Sequence, residues 1–163
     1  MSTEAAHERW WQTFEVICGL PFLAGAALQY TLPNPFVRGL FAPAGAPVGI
    51  TLVIVGAAVI VLARRELARH GQPTDPGRAT SRIVTTGVFA ISRNPLYLGG
   101  FCVLSGVALA FSLVWPLLTV PFTLMACNYV LIAREERFLA FRFGAEYRAY
   151  AASVRRWIGR RRR

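Results

Sequence analysis

The sequence predicts an all-α, polytopic membrane protein with about four transmembrane helices and an interfacial helix near the C-terminus. Three observations predict it. Four apolar stretches of near-membrane length recur along the chain. Hydrophobic residues make up 55% of the 163 residues and mean hydropathy is +0.44, high for a water-soluble domain of this size. All 18 basic residues are arginine, and most gather in two segments that an even number of crossings puts on one side.

The first span runs from about Phe14 to Leu32. Its apolar centre and Ala24-Gly25-Ala26 resemble a signal peptide with a cleavage site, but Glu4, Glu8 and Glu15 spoil the positive leading region, so it reads as a retained helix. The second, about Val48 to Ala63, is short; Gly45-Ala46-Pro47 before it, or snorkelling arginine stems after it, lengthen it. The third runs from about Leu96 to Val114 and the fourth from about Pro116 to Ala133. Only Ser112 to Pro116 joins them, which forces an antiparallel hairpin. Gly99, Gly100, Ser105 and Gly106 are small enough for close helix approach. Beyond Ala133, Phe138, Leu139, Phe141, Phe143, Tyr147 and Tyr150 interleave with Arg137, Arg142 and Arg148, the pattern of a helix lying at the membrane surface. The final Arg160 to Arg163 run reads as a headgroup contact.

Arginine placement sets the orientation. The loop between spans one and two holds Arg38 alone, and the turn between spans three and four holds none. The loop between spans two and three carries Arg64, Arg65, Arg69, Arg78, Arg82 and Arg93, and ten more arginines come after span four. The positive-inside rule makes that side cytoplasmic, with both termini inside, in a cell inner membrane. A net charge of +10 also suits nucleic acid, but a soluble nucleic-acid binder leaves the apolar hairpin uncovered, and an anionic bilayer surface is the simpler partner. Cys18, Cys102 and Cys127 are an odd number in apolar stretches and read as small buried side chains. With His7 and His70 the sole histidines, no metal site is expected. A transporter subunit would carry charge at mid-span, and none of the four spans does.

Two charged clusters bracket the hairpin: Arg93-Asn94-Pro95-Leu96-Tyr97 at its entry and Arg134-Glu135-Glu136-Arg137 at its exit. A tight hairpin brings both to one membrane face. In the first cluster Asn94 is placed to cap the third helix, Pro95 to take its first position and Tyr97 to sit in the aromatic belt. The preceding Thr86-Gly87-Val88-Phe89 run adds a glycine turn beside a helix N-terminus, where free N–H groups meet polar ligands. In the second cluster, adjacent carboxylates at a membrane helix end either form a solvated face neutralised by Arg134 and Arg137 or bind a cationic, hydroxyl-bearing ligand. The loop from Arg64 to Asn94 is too long for a plain connection, as functional loops often are.

The stretch from Thr86 through Arg93-Asn94-Pro95-Leu96-Tyr97-Leu98-Gly99 resembles the first signature of the integral-membrane methyltransferases, the group of isoprenylcysteine carboxyl methyltransferases and phospholipid N-methyltransferases. Arg134-Glu135-Glu136-Arg137-Phe138-Leu139, then Phe143-Gly144-Ala145-Glu146-Tyr147-Arg148-Ala149-Tyr150, resembles the second. The two come in order, one helical hairpin apart, within residues 64–158. The resemblance implies one domain over 1–163: membrane helices in 1–63, a cofactor-binding catalytic part in 64–158 and a basic tail in 159–163. It implies S-adenosylmethionine as cofactor, lined by Arg93, Asn94, Pro95 and Tyr97 on one side, Glu135 and Glu136 on the other, and closed by Tyr147 and Tyr150. Arg93, Arg134 and Arg137 are the candidates to orient the acceptor. The acceptor class stays open: an isoprenylcysteine-type carboxylate, a thiol or a phospholipid amine. Such tails often end Val-Pro-Arg-x-Ile-Pro, whereas this chain reads Val154-Arg155-Arg156-Trp157-Ile158-Gly159. A non-enzymatic membrane protein binding anionic lipid through its arginines is the rival reading.

Overall fold

The computed structural model describes residues 13–33, 44–73 and 80–160. Arg38, Arg78 and Arg161 to Arg163 lie outside the described residues. A π-helical turn, Glu15–Gly19, leads into α1 (Leu20–Thr31). Helix α2 spans Gly45–Arg69, and a 3-10 turn, Gly87–Ala90, precedes α3 (Pro95–Ala110). Helix α4 (Val114–Ala126) passes through a π-helical segment, Cys127–Ile132, into α5 (Ala133–Ser153) without a break. Among the described residues every regular element is helical, as the composition predicts, apart from a single bridge between Val154 and Arg160.

Among the described residues two helices are long and apolar enough to cross a membrane: Gly45–Arg69 and the run Val114–Ser153, which kinks at Gly144 beyond its apolar part. Helix α3 is apolar but shorter, with 16 residues. The second span is thus longer than its apolar core suggests, because the helix carries on through the arginines to Arg69. The surface helix expected after span four is a continuation of that span. Its apolar part ends at Ala133; the charged run Arg134-Glu135-Glu136-Arg137 and the rest of α5 lie outside the span. The outward-facing side chains fit lipid rather than water. Val48, Ile50, Ile54, Val55, Val61 and Leu62 on α2, and Leu118, Phe122, Met125 and Tyr129 on α4 and the π segment, are exposed.

Helices α2 and α3 form the most extensive helix pair. Glycines set their approach. A Cβ at Gly49 would collide with the Ala110 nitrogen, and one at Gly106 would lie 2.6 Å from the Gly49 carbonyl oxygen. Further along the pair, a Cβ at Gly56 would meet the Gly99 carbonyl at 2.6 Å. The small residues of α3 therefore face α2, not the hairpin partner α4. Gly100 faces a different neighbour, the Phe14 ring. Backbones this close gain dispersion contacts that lipid cannot supply to one helix alone.

At the other end of the bundle α1 packs on α4. The side-chain carbonyl of Gln29 accepts the Val114 N–H at 3.0 Å, and the Trp115 indole donates to the Leu32 carbonyl at 2.8 Å. Both satisfy polar groups at helix ends. The core is a cluster of Cys18, Phe101, Cys127, Leu131 and Ile132, with Phe14, Tyr97 and Trp157 packed against it. Cys18 and Cys127 are buried free thiols, as their apolar setting predicts, whereas Cys102 is only partly buried.

Replacing Gly106 by Ala is expected to destabilise the protein by about 1–3 kcal/mol through overpacking, read as a lower Tm in detergent. Gly19→Ala meets nothing within 4 Å and is expected to leave Tm unchanged or slightly raised.

Candidate functional site

Helix α3 starts where the sequence predicts, with Pro95 at its first turn, but Asn94 does not cap it with its side chain. The Asn94 N–H instead donates to Ser92 Oγ at 3.1 Å, and its Nδ2 donates to the Arg156 carbonyl at 3.0 Å. Ser92 and Asn94 are both buried. Pro95 is fully buried below them and serves packing. Tyr97 lies further in, against the core rather than in an aromatic belt, and its hydroxyl donates to Glu135 Oε2 at 3.2 Å.

The two charged clusters therefore converge. Arg93 Nη2 lies 3.1 Å from Glu136 Oε1, and both side chains are mostly buried. Arg93 Nη1 donates to the Tyr147 hydroxyl at 3.4 Å, while its buried Nε has no hydrogen-bond partner among the described residues. The Tyr150 hydroxyl donates to the Phe89 carbonyl at 2.7 Å, which ties α5 to the 3-10 turn. These aromatics reach back because α5 bends at Gly144, whose φ of 52° and ψ of −118° are left to glycine. A Cβ there would meet nothing within 4 Å, so the backbone conformation alone requires the residue.

Between the clusters lies a cavity of about 100 Å³. Arg93, Asn94, Glu135, Glu136, Tyr147 and Tyr150 line it, with Leu67, Arg82, Ile83, Val84, Phe89 and Leu139. Typical small-molecule sites measure ~300–1,000 Å³, so a nucleoside-sized ligand requires the wall to move. Pro95 and Tyr97 stand behind this wall rather than in it. Arg134 is partly buried and off the cavity, and Arg137 is exposed with its Nε on the Ala133 carbonyl at 3.2 Å. Of the three arginines expected to orient an acceptor, Arg93 alone lines the cavity.

Burial dominates the electrostatics. It pushes the Glu135 carboxyl above the usual carboxylate range, against the Tyr97 hydrogen bond and with help from Glu136. It pushes Tyr147 up to about 12, with Glu136 adding and Arg93 opposing, so the phenol keeps its proton at neutral pH. Arg156 is raised above its already high value, chiefly by its hydrogen bonds to Glu136.

Several site residues escape a reading of the sequence. Glu66, near the end of α2, accepts the Thr86 hydroxyl and pairs with Arg69 at 3.4 Å. Gly87 beside it has a φ of +57°, and a Cβ there would lie 2.9 Å from Glu66 Cδ. This carboxylate seats the turn that carries Phe89 to the cavity. Its signal was a lone acid among Arg64, Arg65 and Arg69. Gln72 and Ser81 close the base of the loop, Gln72 Oε1 accepting the Ser81 N–H at 2.8 Å. Asn128, the one amide in the fourth apolar span, accepts Arg156 Nη1 at 2.8 Å. Arg156 had one signal in an arginine-rich tail: it falls on the arginine of the Val-Pro-Arg-x-Ile-Pro pattern from which the residues around it depart.

Residues 46–146 match the phospholipid methyltransferase family, more than half of the chain. The chain belongs to that family. The matched region holds α2, α3, α4 and the first part of α5, hence Arg93, Asn94, Glu135 and Glu136; it stops one residue short of Tyr147. A 47-residue stretch, 29% of this chain and 71% of the other, is 47% identical to an uncharacterized protein of Haemophilus influenzae. No solved structure matches the chain. Membership in a phospholipid methyltransferase family points to methyl transfer onto lipid-like substrates, and the apolar helices to membrane association.

The raised Glu135 carboxyl has a consequence for stability. Its folded pKa exceeds the unfolded one, so its contribution is full below the unfolded pKa and is lost as pH rises through the folded value. From mildly acidic to neutral pH the Tm of the wild-type protein is expected to fall relative to that of Glu135→Gln. A Tm difference that stays flat across this range contradicts the burial argument.

Proposed function

We propose that this protein transfers a methyl group from S-adenosylmethionine to a lipid-like or small hydrophobic acceptor at the cytoplasmic face of the inner membrane, with both termini on that side. The observation that carries the reading is the meeting of the Arg93-Asn94 entry to α3 with Glu135 and Glu136 of α5 around one cavity. Arginine-rich segments on either side of the hairpin support the orientation. Four crossings would need α1 with its π turn, and α3, to span by local thinning of the bilayer or snorkelling of flanking side chains.

The residues present fit such a cofactor. Among the described residues Glu135 takes one hydrogen bond, from Tyr97, and keeps its second oxygen for a cationic or hydroxyl-bearing group. The unpartnered Nε of Arg93 suits an anionic or hydroxyl oxygen. Tyr147 and Tyr150 close the cavity from the side of α5. When bound, the cofactor would supply an already activated methyl group, with sulfur as the leaving atom that keeps the electron pair. What is asked of the chain is alignment and exclusion of water. Leu139, Phe89 and Val84 give the cavity apolar walls for this.

The acceptor decides the rest. A carboxylate or thiolate needs no base, and Arg93 is the cavity's candidate to orient it. A phospholipid amine must shed a proton. Tyr147 holds its own proton too tightly at neutral pH, which leaves the Glu135 carboxylate to accept it.

Titration calorimetry on folded protein in detergent is expected to show binding of S-adenosylmethionine and of its demethylated product. Glu136→Ala is expected to abolish both while insertion stays normal. No heat with either compound on folded wild-type protein would overturn the reading and favour a binder of anionic lipid. Membranes incubated with cofactor labelled in the methyl group then identify the acceptor by the lipid or small-molecule fraction that gains label.

A further inference from the structure

After α5 the chain turns back over the cavity wall as a strap. The Val154 N–H ends the helix on the Tyr150 carbonyl, and Val154 bridges to Arg160. Main-chain bonds fasten the strap to the segment before α3: Arg93 N–H to the Arg155 carbonyl at 3.2 Å, and Gly159 N–H to the Ile91 carbonyl at 2.8 Å. Trp157 sets its ring edge against Phe101 at 6.1 Å between centroids.

At the middle of the strap Arg156 forks onto Glu136. Its Nε donates to Oε1 at 3.1 Å and its Nη2 to Oε2 at 2.5 Å, and the third nitrogen goes to Asn128 Oδ1. A fork on both oxygens fixes the plane of a carboxylate as well as its place. The same residue's carbonyl accepts the Asn94 amide. One residue thus orients two predicted ligand-binding groups, Glu136 through its side chain and Asn94 through its main chain. It also completes the charge balance: Glu136 stands between Arg93 and Arg156, and the three sum to one positive charge.

We propose that Arg156 is a positioning residue for cofactor binding, acting through Glu136. This rests on the proposed use of S-adenosylmethionine. Arg156 lies beyond the region that matches the family, among neighbouring arginines of the tail. Loss of its side chain leaves Glu136 held from one side by Arg93 and free to turn, and leaves Asn128 without its donor. The strap itself stays fastened by its main-chain bonds, so the loss falls on the orientation of the carboxylate.

The test is a double-mutant cycle read by calorimetry with S-adenosylmethionine and its demethylated product. Arg156→Ala and Glu136→Gln are each expected to weaken binding tenfold or more. The double variant is expected to bind no more weakly than Glu136→Gln alone, because Arg156 has nothing left to orient. Arg156→Lys, which keeps charge but not the fork, is expected to fall between Arg156→Ala and wild type. Arg155→Ala, which removes a neighbouring charge and keeps every main-chain bond, is expected to bind as wild type. In turnover, Arg156→Ala is expected to raise KM for the cofactor and leave KM for the acceptor within twofold. Additive losses in the cycle, wild-type affinity in Arg156→Ala, or an equal loss in Arg155→Ala would each overturn the proposal while the functional reading stands. If Arg156→Ala does not fold, Arg156→Gln takes its place in the cycle. A wild-type protein that binds neither compound brings down the functional reading and this proposal together.

Discussion

The Glu136 carboxylate is where the architecture closes. Arg93, from the segment before α3, and Arg156, from the strap after α5, both reach it. Three stretches of chain far apart in sequence are joined through one side chain. A buried carboxylate of this kind is costly without its partners, and the geometry supplies two, one of them forked. Once it is held, Tyr147 has its place beside Arg93 and the strap can offer a carbonyl to Asn94.

The frame around this junction is built by a different force. Helices in lipid gain little from hiding apolar surface from each other, because lipid is as apolar as they are. The α2–α3 pair answers with glycines at matching positions, Gly49 opposite Gly106 and Gly56 opposite Gly99, so the backbones themselves come into contact. That close seam holds the end of α2 next to the entry of α3. Glu66 then stands where it can secure Thr86 and the turn at Gly87. The seam thus leads into the site: tight packing in the apolar region fixes the distance between polar groups at its edge.

Much of this arrangement was legible in the chain. The all-helical class came from apolar stretches of near-membrane length, the family from two clusters one hairpin apart, and the convergence of Arg93 and Tyr97 with Glu135 and Glu136 from the shortness of the Ser112–Pro116 turn. The residues that stayed hidden share a common cause. Sequence reveals which residues are unusual for their surroundings, not which of several similar residues finds a partner. Arg156 is one arginine among many in the tail, marked only by its place in a tail pattern whose prolines this chain lacks, and Arg134 and Arg137, adjacent to the key glutamates, look better placed than they are. Direction around a helix was hidden too: Gly99 and Gly106 announce a close approach without saying to which neighbour. Asn94 has the composition of a cap, yet a strap far downstream takes its amide, a competition no local signal encodes.

The π-helical segment Cys127–Ile132 has a geometric consequence for everything after it. A turn of this kind takes in one residue more than an α-turn, and each residue advances the helix by roughly 100°. The segment therefore re-phases the rod: Leu131 and Ile132 meet the core, and a few residues later the two acids meet the cavity. Tightened to an ordinary α-helix, the same sequence would aim those acids about a quarter-turn away, toward bilayer or solvent, with no change in composition at all.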